Sequence, residues 1–399
     1  MALNFAKSYP LHDDNARNQR RGFNCVLCIG SGRSNHKVEK KKKQKREPKS
    51  MSFSPPSSEI NGISDDLKKI IDANMDEAPN RRHAREAFKK IQLSIDHCLF
   101  KAPTQGLKID EGYEKNSRGL QIFYKSWLPE SSPPKALICF CHGYGDTCTF
   151  FFEGIARKLA LAGYGVCAMD YPGFGLSDGL HGYIKNFDQL VDDVIEHYSK
   201  IKEKPEFRNR PFFLFGQSMG GAVALKIHLK QPKAWNGAVL VAPMCKIADD
   251  MYPPFILTQI LISLAKVFPK WKMVPQKDLA DIAFREKKEL ANYNVIAYKD
   301  KPRLKTAVEM LRTTDEIASR LEEVSMPFLI LHGEADIVTN PSVSKALYEK
   351  ASSKDKKLLL CKDSYHAILE GEPDDVIERV FGDIISWLDE HSTENAAQS

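Results

Sequence analysis

Three side chains able to share one nucleophilic reaction stand far apart in this chain, each just beyond an apolar run. Ser218 sits in FLFGQSMGGA (213–222), Asp336 in FLILHGEADIVTN (328–340) and His366 in LLLCKDSYHAILEGEPDD (358–375). A serine hydroxyl is a weak nucleophile until a base takes its proton, and an imidazole base needs an acid to fix its tautomer. The order Ser, Asp, His is one in which a chain supplies that trio. Glu334 and Asp363 are rival acids, and His332 is a rival base. His332 falls at a strand end itself, where a structural histidine is the expectation. Asp336 and His366 rank first by chain order and by their place after strands.

The residues around Ser218 fit a strand, a sharp turn and a helix. FFLFG is a buried-strand run, and MGGAVALKIHLK continues as a helix. A serine raised on so tight a turn adopts strained angles, so its neighbours must be tiny. Gly216, Gly220 and Gly221 meet that need. The helix start also points free N–H groups and the positive end of its dipole toward the serine.

Attack on a carbonyl also needs donors for the oxygen that becomes charged. CFCHGYGDT (139–147) ends an earlier apolar run in His142-Gly143-Tyr144-Gly145. Glycines let the main chain come close there. The backbone N–H groups of Tyr144 and Met219 are the expected donors, with His142 and Gly143 as substrate-binding positions. Asp170, in MDYPGFGLSDG, reads as structural.

These residues require strand ends on one edge of a sheet. From about Gly106, strand runs such as LQIFYKSWL, ALICFCHG, YGVCAMDYPG, GAVLVAP and PFLILHG alternate with helical segments, ending in DVIERVFGDIISWLDEH. Such alternation predicts an α/β fold: a mostly parallel central sheet with helices on both faces. The stretch 244–323 interrupts the alternation and reads as an inserted cap over the strand ends, where open sheets place their sites. Its segment FILTQILISLAKVF (255–268) is an apolar wall for a substrate or a buried cap helix, with Phe255 and Leu261 as candidate substrate contacts.

The remaining organisation follows from composition. The net charge of +6 is uneven: residues 1–50 carry 13 Lys/Arg against 4 Asp/Glu, which leaves −3 for the rest. Residues 1–60 read as a disordered basic extension, 61–104 as a helical lead-in, 105–390 as the main domain and 391–399 as a disordered tail. Nine scattered cysteines and no secretory signal pattern fit reduced thiols in an intracellular compartment. Cys25 and Cys28 lack a second pair at ligand spacing, so no metal is expected. No run reaches the ~18 apolar residues that cross a bilayer.

HGYGDT, DYPGFGLSDGLHGYI, GQSMGGAVAL, VAPMCKI, LHGEADIVT and YHAILEGEPDD, in this order, resemble the plant monoacylglycerol lipase and caffeoylshikimate esterase branch of the α/β-hydrolases. The resemblance covers roughly residues 105–390. It implies the α/β-hydrolase fold and a serine esterase or lipase acting on monoacylglycerols, lysophospholipids or phenolic esters, with no cofactor. It carries over Ser218, Asp336 and His366 as the triad and Tyr144 and Met219 as oxyanion donors. No histidine is followed five residues later by aspartate, so the acyltransferase signature credited to some relatives is missing. The expected partner is a small amphiphilic ester. Membrane contact through the cap or the basic tail stays open, and nucleic acid is not expected. The expected location is cytoplasmic, with the chloroplast as the alternative. A ligand receptor on a slow hydrolase scaffold is the reading from another class.

Overall fold

The computed structural model describes residues 60, 63–246, 254–272 and 279–394. The basic extension, apart from Ile60, and the Cys25/Cys28 pair lie outside the described residues. Helices α1 (Asp65–Ile71), α2 (Ala78–Leu93) and α3 (Cys98–Lys101) lead into the sheet. Its strands are β1 (Leu107–Lys115), β2 (Gln121–Pro129), β3 (Leu137–Cys141), β4 (Gly165–Met169), β5 (Phe212–Gln217), β6 (Gly237–Val241), β7 (Phe328–Gly333) and β8 (Lys356–Cys361). They lie in the order β1-β2-β4-β3-β5-β6-β7-β8. Only β1 and β2 run antiparallel to their neighbours; β4 through β8 are parallel.

Between the strands run α4 (Phe151–Leu161), α5 (Phe187–Lys202), α6 (Met219–Lys230), α7 (Phe255–Val267), α8 (Leu279–Ala283), α9 (Leu304–Ser319) and α10 (Pro341–Lys350), with α11 (Asp374–Glu394) closing the chain. Side chains alternate across each strand, which divides the core in two. Leu214, Leu240 and Ile330 pack toward α5, α6 and α10 through Val194, Ala222 and Leu347. Phe213, Phe215 and Leu331 pack toward α4 and α11 through Phe152, Ile384 and Trp387. Cys139 and Cys141 share the first face, as their spacing predicts. The seven cysteines among the described residues are free thiols.

Two elements depart from the sequence reading. β1, absent from the strand signals, pairs with β2 along its whole length. It is an edge strand, LKIDEGYEK, whose alternate residues are exposed, so it carries no apolar run to detect. α11 continues to Glu394, with His391 buried against Trp387, into the segment expected as an unstructured tail.

The lead-in helices are tied firmly to the body. Arg81 of α2 is fully buried, and its guanidinium donates to the carbonyl oxygens of Gly175, Ser177 and Met75 at 2.6, 2.6 and 2.8 Å. The Gly175 and Ser177 carbonyls would otherwise be buried without donors. The described part of the insert after β6 is largely helical. α9 packs against α5 and α6, whereas α7 packs mainly on α9.

Candidate active site

β5 ends at Gln217 and α6 begins at Met219, so Ser218 alone turns the chain. Its φ of 52° and ψ of −119° are a conformation that costs a side-chain-bearing residue on the order of 1–3 kcal/mol. The turn is held from three sides. Ser218 N–H donates to Val241 O at 3.0 Å, and Ser218 O accepts from Gly221 and Met244 N–H, each at 2.9 Å. A Cβ on Gly220 would stand 1.8 Å from Cys141 O, and one on Gly216 would stand 2.5 Å from Gly220 O. The glycines are therefore demanded by backbone crowding around the serine, as the sequence predicts.

Asp336 and His366 come together beyond the ends of β7 and β8. His366 Nδ1 lies 2.7 Å from Asp336 Oδ2. With a carboxylate as acceptor, Nδ1 carries the proton and Nε2 keeps its lone pair. Nε2 has no protein partner among the described residues. Asp336 Oδ1 accepts from the N–H groups of Val338 and Thr339 at 2.7 and 3.0 Å. Burial works to raise the Asp336 carboxyl, but hydrogen bonds from His332 and His366 outweigh it and hold its pKa well below the ordinary carboxylate value.

The rivals separate cleanly. Glu334 and Asp363 are exposed. His332 is fully buried; its Nε2 is 3.1 Å from Asp336 Oδ2 and 2.7 Å from Thr339 O, and its Nδ1 meets Ser344 Oγ at 2.7 Å. It braces the acid and has no free nitrogen to act as a base. Sequence reasoning missed Thr339, whose Oγ1 lies 2.9 Å from Asp336 Oδ2 and 3.2 Å from His366 Nδ1. Its place three residues after Asp336 was the available signal, since a short hydroxyl there reaches back to the acid.

The loop after β3 meets the same turn. Gly143 lies against Ser218: a Cβ on it would be 3.5 Å from the Ser218 Cβ. The N–H groups of Tyr144 and Met219 find no acceptor among the described residues, while the Tyr144 hydroxyl donates to Gly182 O at 3.2 Å.

His142 requires a correction. It is fully buried, stacks on Tyr171 at 3.8 Å between ring centroids, and accepts the Tyr171 N–H on Nε2 at 3.1 Å. Its Nδ1–H therefore donates to Gly143 O at 2.9 Å. Burial lowers its pKa, and the neutral ring fixes the loop through both nitrogens.

The cap residues also differ from expectation. Leu261 packs in a small cluster with Ala265, Leu304 and Val308. Phe255 is 75% exposed and Ile256 73%, so α7 is not a buried cap helix, and Phe255 is not enclosed in a pocket. Asp170 is structural as expected: Oδ1 accepts from Thr147 Oγ1 and Cys148 N, and Oδ2 from Leu176 N. His97, Cys98 and Asp374 place ligand-type atoms within 4.8 Å of one another. However, His97 Nδ1 already accepts the Leu99 N–H, and Lys287 pairs with Asp374.

Comparisons with known proteins agree with this architecture. Caffeoylshikimate esterase of Arabidopsis thaliana is 33% identical over 72% of this chain and 87% of its own length. Human monoglyceride lipase is 29% identical over 69% of this chain and 89% of its own. The crystal structure of a soluble variant of Saccharomyces cerevisiae monoglyceride lipase superposes with a TM-score of 0.61 at 22% identity, covering 73% of this chain and 97% of that one. It bears on the fold alone. Residues 132–374 match the Hydrolase_4 family, described as "Serine aminopeptidase, S33". That span exceeds half of the chain, which therefore belongs to the Hydrolase_4 family of α/β-hydrolases and is a hydrolase of the lipase and esterase type.

Proposed function

We propose that this protein hydrolyses carboxylic esters through an acyl-enzyme formed on Ser218. The observation that carries the reading is the Ser218 turn at the end of β5 together with the 2.7 Å His366–Asp336 pair beyond β7 and β8. His366 Nε2 takes the Ser218 proton as Oγ attacks the ester carbonyl. It then delivers that proton to the departing alcohol, and the acyl group stays on Ser218. Water, deprotonated by His366, attacks the acyl-serine, and the acid leaves as Ser218 regains its proton. Asp336 holds the imidazole and stabilises its charged form. The Tyr144 and Met219 N–H groups receive the oxyanion of each tetrahedral intermediate.

The proposed substrate is a monoacylglycerol, supported by the mammalian monoglyceride lipases among the relatives. A phenolic ester such as caffeoyl shikimate is the second reading, favoured by the 33% identical esterase. The exposed apolar face of α7 supports peripheral membrane contact through the cap. No helix among the described residues is long and apolar enough to cross a membrane. The proposed division is a lead-in to residue 104, a hydrolase domain from 105, and a cap at 244–323. Turnover of monoacylglycerols, lysophosphatidylcholine and caffeoyl shikimate, side by side, tests the substrate. A clear preference for monoacylglycerol supports the first reading, and a preference for caffeoyl shikimate replaces it with the second. Wild-type turnover of none of them favours a receptor built on the same scaffold.

A further inference from the structure

Gln217 precedes Ser218 at the end of β5, and its side chain reaches across 153 residues of chain. Its Nε2 donates to Glu370 Oε1 at 2.6 Å. Glu370 lies four residues beyond His366, on the same loop after β8. Both side chains are buried. Among the described residues this is the one side-chain hydrogen bond between the Ser218 strand end and the His366 loop. The same loop is anchored on its other side by His97. Its Nδ1 accepts the Leu99 N–H, so its Nε2–H donates to Glu370 O at 3.0 Å.

β5 and β8 are separated in the sheet by β6 and β7. The strand ladder fixes the strands but not His366, which lies five residues past the end of β8. A nucleophile and base must be held to a fraction of an ångström, because a misplacement of about 1 Å costs up to about 100-fold in rate. We propose that Glu370 is a positioning residue for the hydrolysis, fixing the Ser218 turn against the His366 loop through Gln217. The inference rests on the ester-hydrolase reading of Ser218.

The electrostatics give this contact a pH range. Glu370 Oε2 is buried without a partner among the described residues. Burial first, and then the nearby Asp146 carboxyl, push the Glu370 pKa up to about 8. Asp146, on the loop after β3, is itself pushed up to about 7 by burial. His97, the residue before α3, meets the Glu370 backbone oxygen, and burial lowers its pKa. Lys287 and Asp374 stand beyond His97 and act on it. Glu370 is thus mainly an uncharged acid at neutral pH. Ionisation places a buried charge beside Asp146 with no cation in contact among the described residues, a state that local rearrangement relieves.

The test combines kcat and KM for a short p-nitrophenyl ester, fluorophosphonate labelling of Ser218, and rate profiles on the alkaline side. Glu370→Leu should lower kcat and the labelling rate about 10- to 100-fold with little change in KM. The wild type should lose kcat as pH rises through about 8, and Glu370→Gln should lack that limb. Gln217→Glu, which sets acid against acid, should be impaired. The exchanged pair Gln217→Glu with Glu370→Gln should regain most of that loss. Wild-type kcat in a folded Glu370→Leu, or an unchanged alkaline limb in Glu370→Gln, overturns the proposal. If Glu370→Leu does not fold, the exchanged pair decides: no recovery overturns it. A wild type that takes no label at Ser218 overturns the ester-hydrolase reading and this inference with it.

Discussion

His366 and Asp336 meet at 2.7 Å through Nδ1 and Oδ2, and the same carboxylate oxygen also receives His332 at 3.1 Å. One acid therefore orients two imidazoles, of which only His366 keeps a nitrogen free. His332 is occupied on both sides, so it sharpens the position of Asp336, and the proposed proton transfer falls to His366.

Asp336→Asn should keep the fold and lower kcat by ~10³-fold or more, because the amide favours the wrong imidazole tautomer. It should also change acid stability. The Asp336 pKa is depressed in the folded state from an ordinary 3.8. The ionised carboxylate therefore contributes stability above that value, and the contribution fades as pH falls toward the folded pKa. Urea melts over the acid range should show a steeper loss of stability in the wild type than in the variant. Parallel curves would remove the pairing from the account.

The glycines of the Ser218 turn and of α11 should behave in opposite ways. Gly220→Ala places a methyl 1.8 Å from Cys141 O and should abolish activity or folding. Gly382 lies in α11 with nothing within 4 Å of an added Cβ. Gly382→Ala should stabilise the protein by about 0.5–1 kcal/mol. Thermal melts and a p-nitrophenyl assay check both.

Arg81→Ala should destabilise the folded protein by about 2–4 kcal/mol, since two buried carbonyls lose their donor at once. Denaturant midpoints measure it. A shift within ±0.5 kcal/mol, the range of ordinary surface changes, would mean that α2 is only loosely attached.

The cap helix exposes Ile256 at 73% and Val267 at 68%. Replacing both with Asp should reduce sedimentation with phosphatidylcholine vesicles while sparing hydrolysis of a soluble ester. Equal sedimentation of wild type and variant would dismiss α7 as the contacting surface.

Much of this arrangement is legible in the sequence. Parallel strands buried on both faces read as unbroken apolar runs such as FFLFG and FLILHG, and each candidate residue stands just beyond one. Burial decided what pattern could not. His142 ends such a run, yet its ring turns inward onto Tyr171. The segment 255–268 is apolar nearly all round, and periodicity does not say whether a neighbour covers it. β1 hid behind its charges. The Gln217–Glu370 contact spans 153 residues, and nothing local to either residue announces the other.

Ser218 is the proposed carrier of the acyl group. The most direct measurement is mass spectrometry of the wild type and Ser218→Ala after treatment with a fluorophosphonate, alongside turnover of a short p-nitrophenyl ester. One adduct is expected on the peptide containing Ser218, and a folded Ser218→Ala should take no label and show no turnover. An adduct on another residue, or wild-type turnover in Ser218→Ala, would contradict it.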